Sequence, residues 1–118
     1  MKTLIQADWV PTQQEFDAFA RVSGDDNPIH VDPDFSSRTR FGRTVSHGML
    51  IYTKLWAMVR QVRPELPHRL QTLMFPNPAF AGEPVTLAVQ ETPEGHLAVS
   101  ATRKADGMIL LQGTTEGA

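Results

Sequence analysis

Two hydrophobic rhythms divide this chain. From Arg69 onward, apolar and polar side chains alternate with a period of two, the spacing of a half-buried strand. Leu70 to Phe75, Val85 to Glu91, Leu97 to Arg103 and Met108 to Thr115 are each predicted as strands. In the second, Val85, Leu87 and Val89 alternate with Thr86, Ala88 and Gln90. Pro93-Glu94-Gly95 and Asp106-Gly107 supply hairpin turns between neighbours. Pro76, Pro78 and Pro84 surround a bend between the first two, where a ladder would be interrupted. Lys2 to Trp9 alternates weakly and predicts a short first strand.

The other rhythm is helical. Pro11-Thr12 opens a helix in which Phe16, Phe19 and Ala20 share one apolar face. Thr12 and Glu15 match the capping box, where hydroxyl and carboxylate each satisfy an orphaned N–H. Gly24 is placed to end this helix in a left-handed cap. Ser46 to Arg63 carries Met49, Leu50, Leu55, Trp56, Met58, Val59 and Val62, with Ile51 and Tyr52 between them. Such a helix, apolar around most of its circumference, is expected to be buried on nearly all sides. Pro64 stops it. The pattern predicts an α+β fold, an antiparallel sheet wrapped around one long central helix.

Between the two helices neither rhythm holds. Asp25 to Phe35 reads as an irregular polar loop with two prolines, which push Asn27 and Asp32 into extended geometry. Asp32 as cap and Pro33 at the first helical position predict a short helix through Arg38. Phe41-Gly42 then turns the chain toward the main helix.

Composition narrows the class. At 118 residues, with 41% hydrophobic and 20% charged, one globular domain over 1–118 is expected. A chain this short has little to spare for walling off a deep pocket, so a second subunit is expected to help. A net charge of −2 and a pI near 6.0 argue against nucleic acid as a partner. Zero cysteines exclude disulfides, thiolate zinc sites and cysteine nucleophiles. MKTLIQADW lacks the apolar region of a secretory leader, and no apolar run reaches 18 residues. No membrane association is expected, and cytoplasm is the expected compartment.

The chemistry concentrates in Ser23–Leu50. Asp25 and His30 lie five residues apart around Asn27-Pro28. A carboxylate and an imidazole can share a water, one removing a proton while the other donates one. Pro28 stiffens the span, and Asn27 is expected to bond the loop's own backbone. A polar turn with a satisfied histidine is the more usual explanation of such a pair. Gly48 opens the long helix, whose first N–H groups lack internal partners and suit a developing oxyanion. Glycine there also lets a ligand approach the backbone, although packing is its more usual role. His47 is expected to bond the helix entry, and His68 and His96 to face solvent. Metal binding is not expected: Ile29 falls where a calcium loop wants a ligand, and the histidines lack zinc spacing. Arg38, Arg40, Arg43, Lys54, Arg103 and Lys104 are all candidates for a phosphate.

Ser23-Gly24-Asp25-x-Asn27-Pro28-Ile29-His30-x-Asp32, then Phe41-Gly42, then Ser46-His47-Gly48-Met49-Leu50 closely resembles the hydratase 2 motif. That motif marks the MaoC-like (R)-specific enoyl-CoA hydratases and dehydratases, a branch of the hot-dog fold. The resemblance is strong over Phe19 to Leu50. It continues more weakly through Phe75, Pro78, Gly82-Glu83 and Val85, and through Leu111-Gln112-Gly113-Thr114.

The resemblance implies that Asp25 and His30 activate the water that adds to a trans-2-enoyl thioester. It implies that the Gly48 N–H binds the thioester oxygen. Two subunits would pair their sheets and build the acyl tunnel at the interface, as a homodimer or dimer of dimers, with a hetero-oligomer as the variant. The thioester would be carried by coenzyme A or acyl carrier protein, as substrate, with no cofactor beside it. Rival readings on the same fold are a thioesterase, with Asp25 directing water at the carbonyl, and a non-catalytic partner subunit. One departure stands out. Bacterial members have a serine nine residues beyond the motif histidine, and this chain has Trp56 there. As an acyl-pocket wall, Trp56 implies short or unusually shaped acyl groups.

Overall fold

A computed structural model describes residues 1–116. Its elements run β1 (Lys2–Trp9), α1 (Gln13–Ser23), α2 (Pro28–Val31), α3 (Pro33–Ser37), α4 (Gly48–Val62), β2 (Leu70–Met74), β3 (Val85–Glu91), β4 (Leu97–Arg103) and β5 (Ile109–Glu116). The strands form one antiparallel sheet in the order β1-β3-β4-β5-β2. The central hairpins are those the turns predicted. Their alternation is kept in register, with Val85, Leu87 and Val89 on β3 and Leu97, Val99 and Ala101 on β4 all buried on one face.

Onto that face packs α4, through Leu50, Ile51, Tyr52, Leu55, Met58 and Val59. Phe16 of α1 and Leu110 and Leu111 of β5 complete the core. Each such side chain contributes about 1.5–3 kcal/mol when fully buried. The helix is not buried all round, as its sequence suggested. Met49 is half exposed, and Thr53, Ala57 and Arg60 face outward. The sheet covers one side of α4, and among the described residues nothing covers the other.

Two local expectations change. Thr12 does cap α1, accepting from the Glu15 N–H at 3.1 Å. The Glu15 carboxylate does not reach back to the Thr12 N–H as a capping box would: it accepts from the Thr12 hydroxyl at 3.2 Å, the Trp9 indole N–H at 3.1 Å and the Lys54 ammonium at 2.7 Å. The expected irregular loop from Asp25 to Phe35 also contains one turn of helix, α2, with Asn27 as its cap and Pro28 at its start. Asp32 is extended as predicted and caps α3. Gly24 ends α1 at φ 80°, a conformation that side-chain-bearing residues rarely adopt.

Gly113 on β5 faces Leu73 on β2, and a β-carbon there would overlap the Thr72 carbonyl oxygen. Main chain cannot swing aside as a side chain can. Gly113→Ala is therefore expected to destabilise the protein by about 1–3 kcal/mol, the usual cost of overpacking. A lowered urea midpoint at unchanged m-value checks this.

Candidate active site

Asp25 follows the Gly24 cap directly, and its own N–H donates to Ser23 Oγ at 3.1 Å. Its side chain is 56% exposed. His30 is buried in α2, because the Asn27 cap and Pro28 start a helical turn that brings residue 30 back beside residue 25. The His30 Nδ1 lies 2.8 Å from the Val45 carbonyl. A carbonyl only accepts, so Nδ1 carries a proton, and in the neutral ring Nε2 is the nitrogen with the lone pair. That Nε2 lies 3.8 Å from Asp25 Oδ2. The gap is too long for a direct hydrogen bond and short enough for one water to bond both groups.

Bonds to its main-chain carbonyls hold α2 in place. The Val45 N–H donates to Ile29 O at 2.9 Å, and Gln13 of α1 donates to His30 O at 2.8 Å. The next residue, Ser46, donates to Ala79 O at 2.8 Å, which ties the segment to the sheet side. Its neighbour His47 turns its ring back toward α2. His47 Nε2 donates to Asp25 O at 2.8 Å, and the ring stacks on His30 with centroids 3.9 Å apart. Burial lowers the His47 pKa below the ordinary histidine value; the bond to Asp25 O opposes this, and the adjacent His30 reinforces it.

Asp25, His47 and Gly48 line a cleft of about 430 Å³, together with Arg40, Phe75 and Leu110. Asp25 thus faces the open space, whereas buried His30 does not line it. Gly48 begins α4, so its N–H has no carbonyl one turn back. The Phe75 ring lies over its Cα, where a β-carbon would come within 2.6 Å of Phe75 Cε1. Sequence reasoning reached Phe75 only as a weaker part of the motif resemblance, with no role given, and missed Leu110, whose only signal is apolar character on β5. Among the six basic candidates, Arg38, Arg43, Lys54, Arg103 and Lys104 are each paired with a carboxylate. Arg40 alone of the six lines the cleft, and no described carboxylate lies within 4.0 Å of it.

Trp56 is not brought to this site. Its indole packs against the His68 ring at 4.4 Å, two turns further along α4, and the cleft of the single chain lacks it as a wall. His68 in turn bonds the Tyr52 hydroxyl at 2.9 Å, so its ring is engaged and not merely solvent-facing. Asp25, His30 and His47 have ligand-type atoms within 4.8 Å of one another. Stacked imidazoles aim their lone pairs side by side instead of at one point, which is a poor match to a metal's coordination sphere.

A family model for the MaoC-like domain matches residues 2–107. The chain belongs to the MaoC-like family. An (R)-specific enoyl-CoA hydratase from Aeromonas caviae is 39% identical over 80 residues, 66% of this chain and 60% of that protein. The 3-hydroxyacyl-thioester dehydratase Z of Mycobacterium tuberculosis is 34% identical over 87 residues, 68% of this chain and 58% of its own length. The match thus spans about 60% of these relatives. The solved (R)-hydratase from A. caviae superposes with a TM-score of 0.84 at 28% identity, over 94% of this chain and 89% of that one. The MaoC-like chain therefore has the hot-dog fold that its motif implied. Among its described residues, no helix is long and apolar enough to cross a membrane.

His47 makes stability depend on pH. It stays neutral in the folded chain to a lower pH than its ordinary value near 6.5. Between the two values the unfolded chain binds the extra proton, so stability is full above about 6.5 and falls as pH drops through the folded value. Urea titrations from pH 7.5 to 5 are expected to show this loss, and His47→Phe to flatten it.

Proposed function

We propose that this MaoC-like chain is an enoyl-thioester hydratase, acting in reverse as a 3-hydroxyacyl-thioester dehydratase. The observation that carries the reading is the 3.8 Å gap between Asp25 Oδ2 and His30 Nε2, beside a helix that begins at Gly48. Both groups accept hydrogen bonds, so a water between them donates both protons and turns its lone pairs to the substrate. The Gly48 N–H polarises the thioester oxygen. A water proton passes to the Asp25/His30 pair as the oxygen bonds the β-carbon, and the double-bond electrons move onto the thioester oxygen. The pair then returns a proton to the α-carbon as the carbonyl re-forms. Water supplies every atom added, so the reaction as written draws on no cofactor. Coenzyme A and acyl carrier protein both bear phosphate, and Arg40 on the cleft suits that charge.

Loss of the conjugated enoyl absorbance with crotonyl-CoA is the direct assay. Asp25→Asn and His30→Gln are each expected to lower kcat on the order of 10²–10⁴-fold, the range of general acid–base catalysis. A wild-type protein that releases coenzyme A thiol instead of losing the double bond is a thioesterase, and the hydratase reading is then wrong.

The homodimer belongs to the same proposal. β2 is an edge strand with one neighbour, β5, and Met74, Phe75, Met108 and Ile109 are exposed beside it. An open edge with exposed apolar side chains favours pairing with a second sheet. Trp56 becomes an acyl-pocket wall only if that pairing closes a tunnel along α4. In that case Trp56→Ala is expected to raise kcat/KM for octenoyl- over crotonyl-CoA by roughly tenfold or more, at least the scale of one methylene. An unchanged ratio leaves Trp56 as packing against His68.

A further inference from the structure

His47 is the most buried histidine of the described chain, at 2% exposure, and it occupies the cap position of α4 without capping it. A cap side chain would accept from the first turn of the helix. This ring turns the other way. One nitrogen donates to the Asp25 carbonyl at 2.8 Å, and the ring face lies on His30 at 3.9 Å with an interplanar angle of 24°. The edge contact with Phe19, centroids 4.9 Å apart, comes from α1. The remaining nitrogen, Nδ1, is buried with no protein partner. An unsatisfied buried nitrogen costs about 1–3 kcal/mol, so this placement is not explained by stability alone.

What it secures can be read from the neighbours. His30 has one ring hydrogen bond, to Val45 O, and a single bond leaves the ring free to rock about it. A flat contact on its face removes that freedom. Asp25 sits in an exposed segment held through its own N–H by Ser23, and its carbonyl bond to His47 is the tie to α4. The titratable groups facing His47 are these two, Asp25 from the loop and His30 from α2. Two imidazoles stacked this closely do not both hold a proton without strong repulsion. Keeping His47 neutral leaves the His30 edge available.

We propose that His47 is a positioning residue for the Asp25/His30 pair. Its N–H fixes the Asp25 main chain, and its face fixes the plane of His30, so their shared gap stays sized for one water. The inference rests on the hydration reading of that pair.

Three variants separate the parts. His47→Phe keeps the face and loses the donor, His47→Gln keeps a donor and loses the face, and His47→Ala loses both. With crotonyl-CoA, kcat of His47→Ala is expected to fall on the order of 100-fold, the cost of small misplacement, while KM stays within about threefold. His47→Phe and His47→Gln each recover part of the loss. Relaxation-edited ¹³C and ¹⁵N spectra of the His30 ring are expected to show a rigid ring in wild type and His47→Phe and a rocking one in His47→Ala, with Nδ1 protonated toward Val45 O in all three. A kcat within about twofold of wild type in His47→Ala overturns the proposal. So does an unchanged His30 spectrum in that variant, whatever the kinetics. A wild type inert toward enoyl-CoA defeats the hydration reading alone, and the spectra still decide the positioning claim.

Discussion

The site depends on one short length of main chain, Val45-Ser46, being pinned on three sides. Val45 donates to Ile29 O and accepts from His30 Nδ1, while Ser46 donates to Ala79 O. An isolated bridge between Val45 and Phe80 reinforces the link to the β2–β3 connection. These bonds do two things at once. They hold a four-residue helix, too short to be stable alone, against the body of the fold. They also fix which nitrogen of His30 carries the proton, and so which one faces Asp25. Placement and chemistry come from the same backbone groups.

The electrostatics follow from how differently the three polar groups are buried. Asp25 keeps its carboxylate more than half exposed to water. His47 is enclosed and kept neutral. His30 lies between them, screened from the cleft but in reach of the carboxylate. A carboxylate beside an imidazole, with the positive end of a 15-residue helix at the same cleft, is an arrangement for moving a proton near a developing negative charge. The first turn of α4 carries no acidic side chain of its own to offset that positive end.

The strands were legible because alternation reports a sheet with one wet face, and β3 and β4 alternate up to their last residues, Glu91 and Arg103. The motif residues were legible through their string, and Asp25, His30, His47 and Gly48 do converge. Three things were not. A single turn of helix such as α2 has no periodicity to detect, and His30 became buried through it. Glu15 kept a local bond from the Thr12 hydroxyl but turned to Lys54 and Trp9 instead of the Thr12 N–H, because partly buried charge gains more from a cation than from a backbone N–H. Apolar residues around α4 implied burial on all sides, yet hydrophobicity says only that a face is to be covered, never by which chain. Trp56 belongs to the same ambiguity: its spacing from His47 was readable, its neighbour His68 was not.

Some of the exposed apolar residues gather at the cleft. Met49 and Phe75 are half exposed, and both line the cleft. Phe75 directly follows the strand that forms the sheet's open edge, and Met49 lies in the first turn of the partly uncovered helix. The groups that would touch a substrate therefore adjoin the surfaces that would touch a second subunit. A chain of 118 residues gains from this economy, since one set of side chains can wall a pocket and seed an interface. On the homodimer reading, closing the β2 edge also shields the cleft from bulk water, which strengthens the pull of the Gly48 N–H on a thioester oxygen. Assembly and catalysis would then be coupled through Phe75, because moving its ring alters both the edge and the space above Gly48.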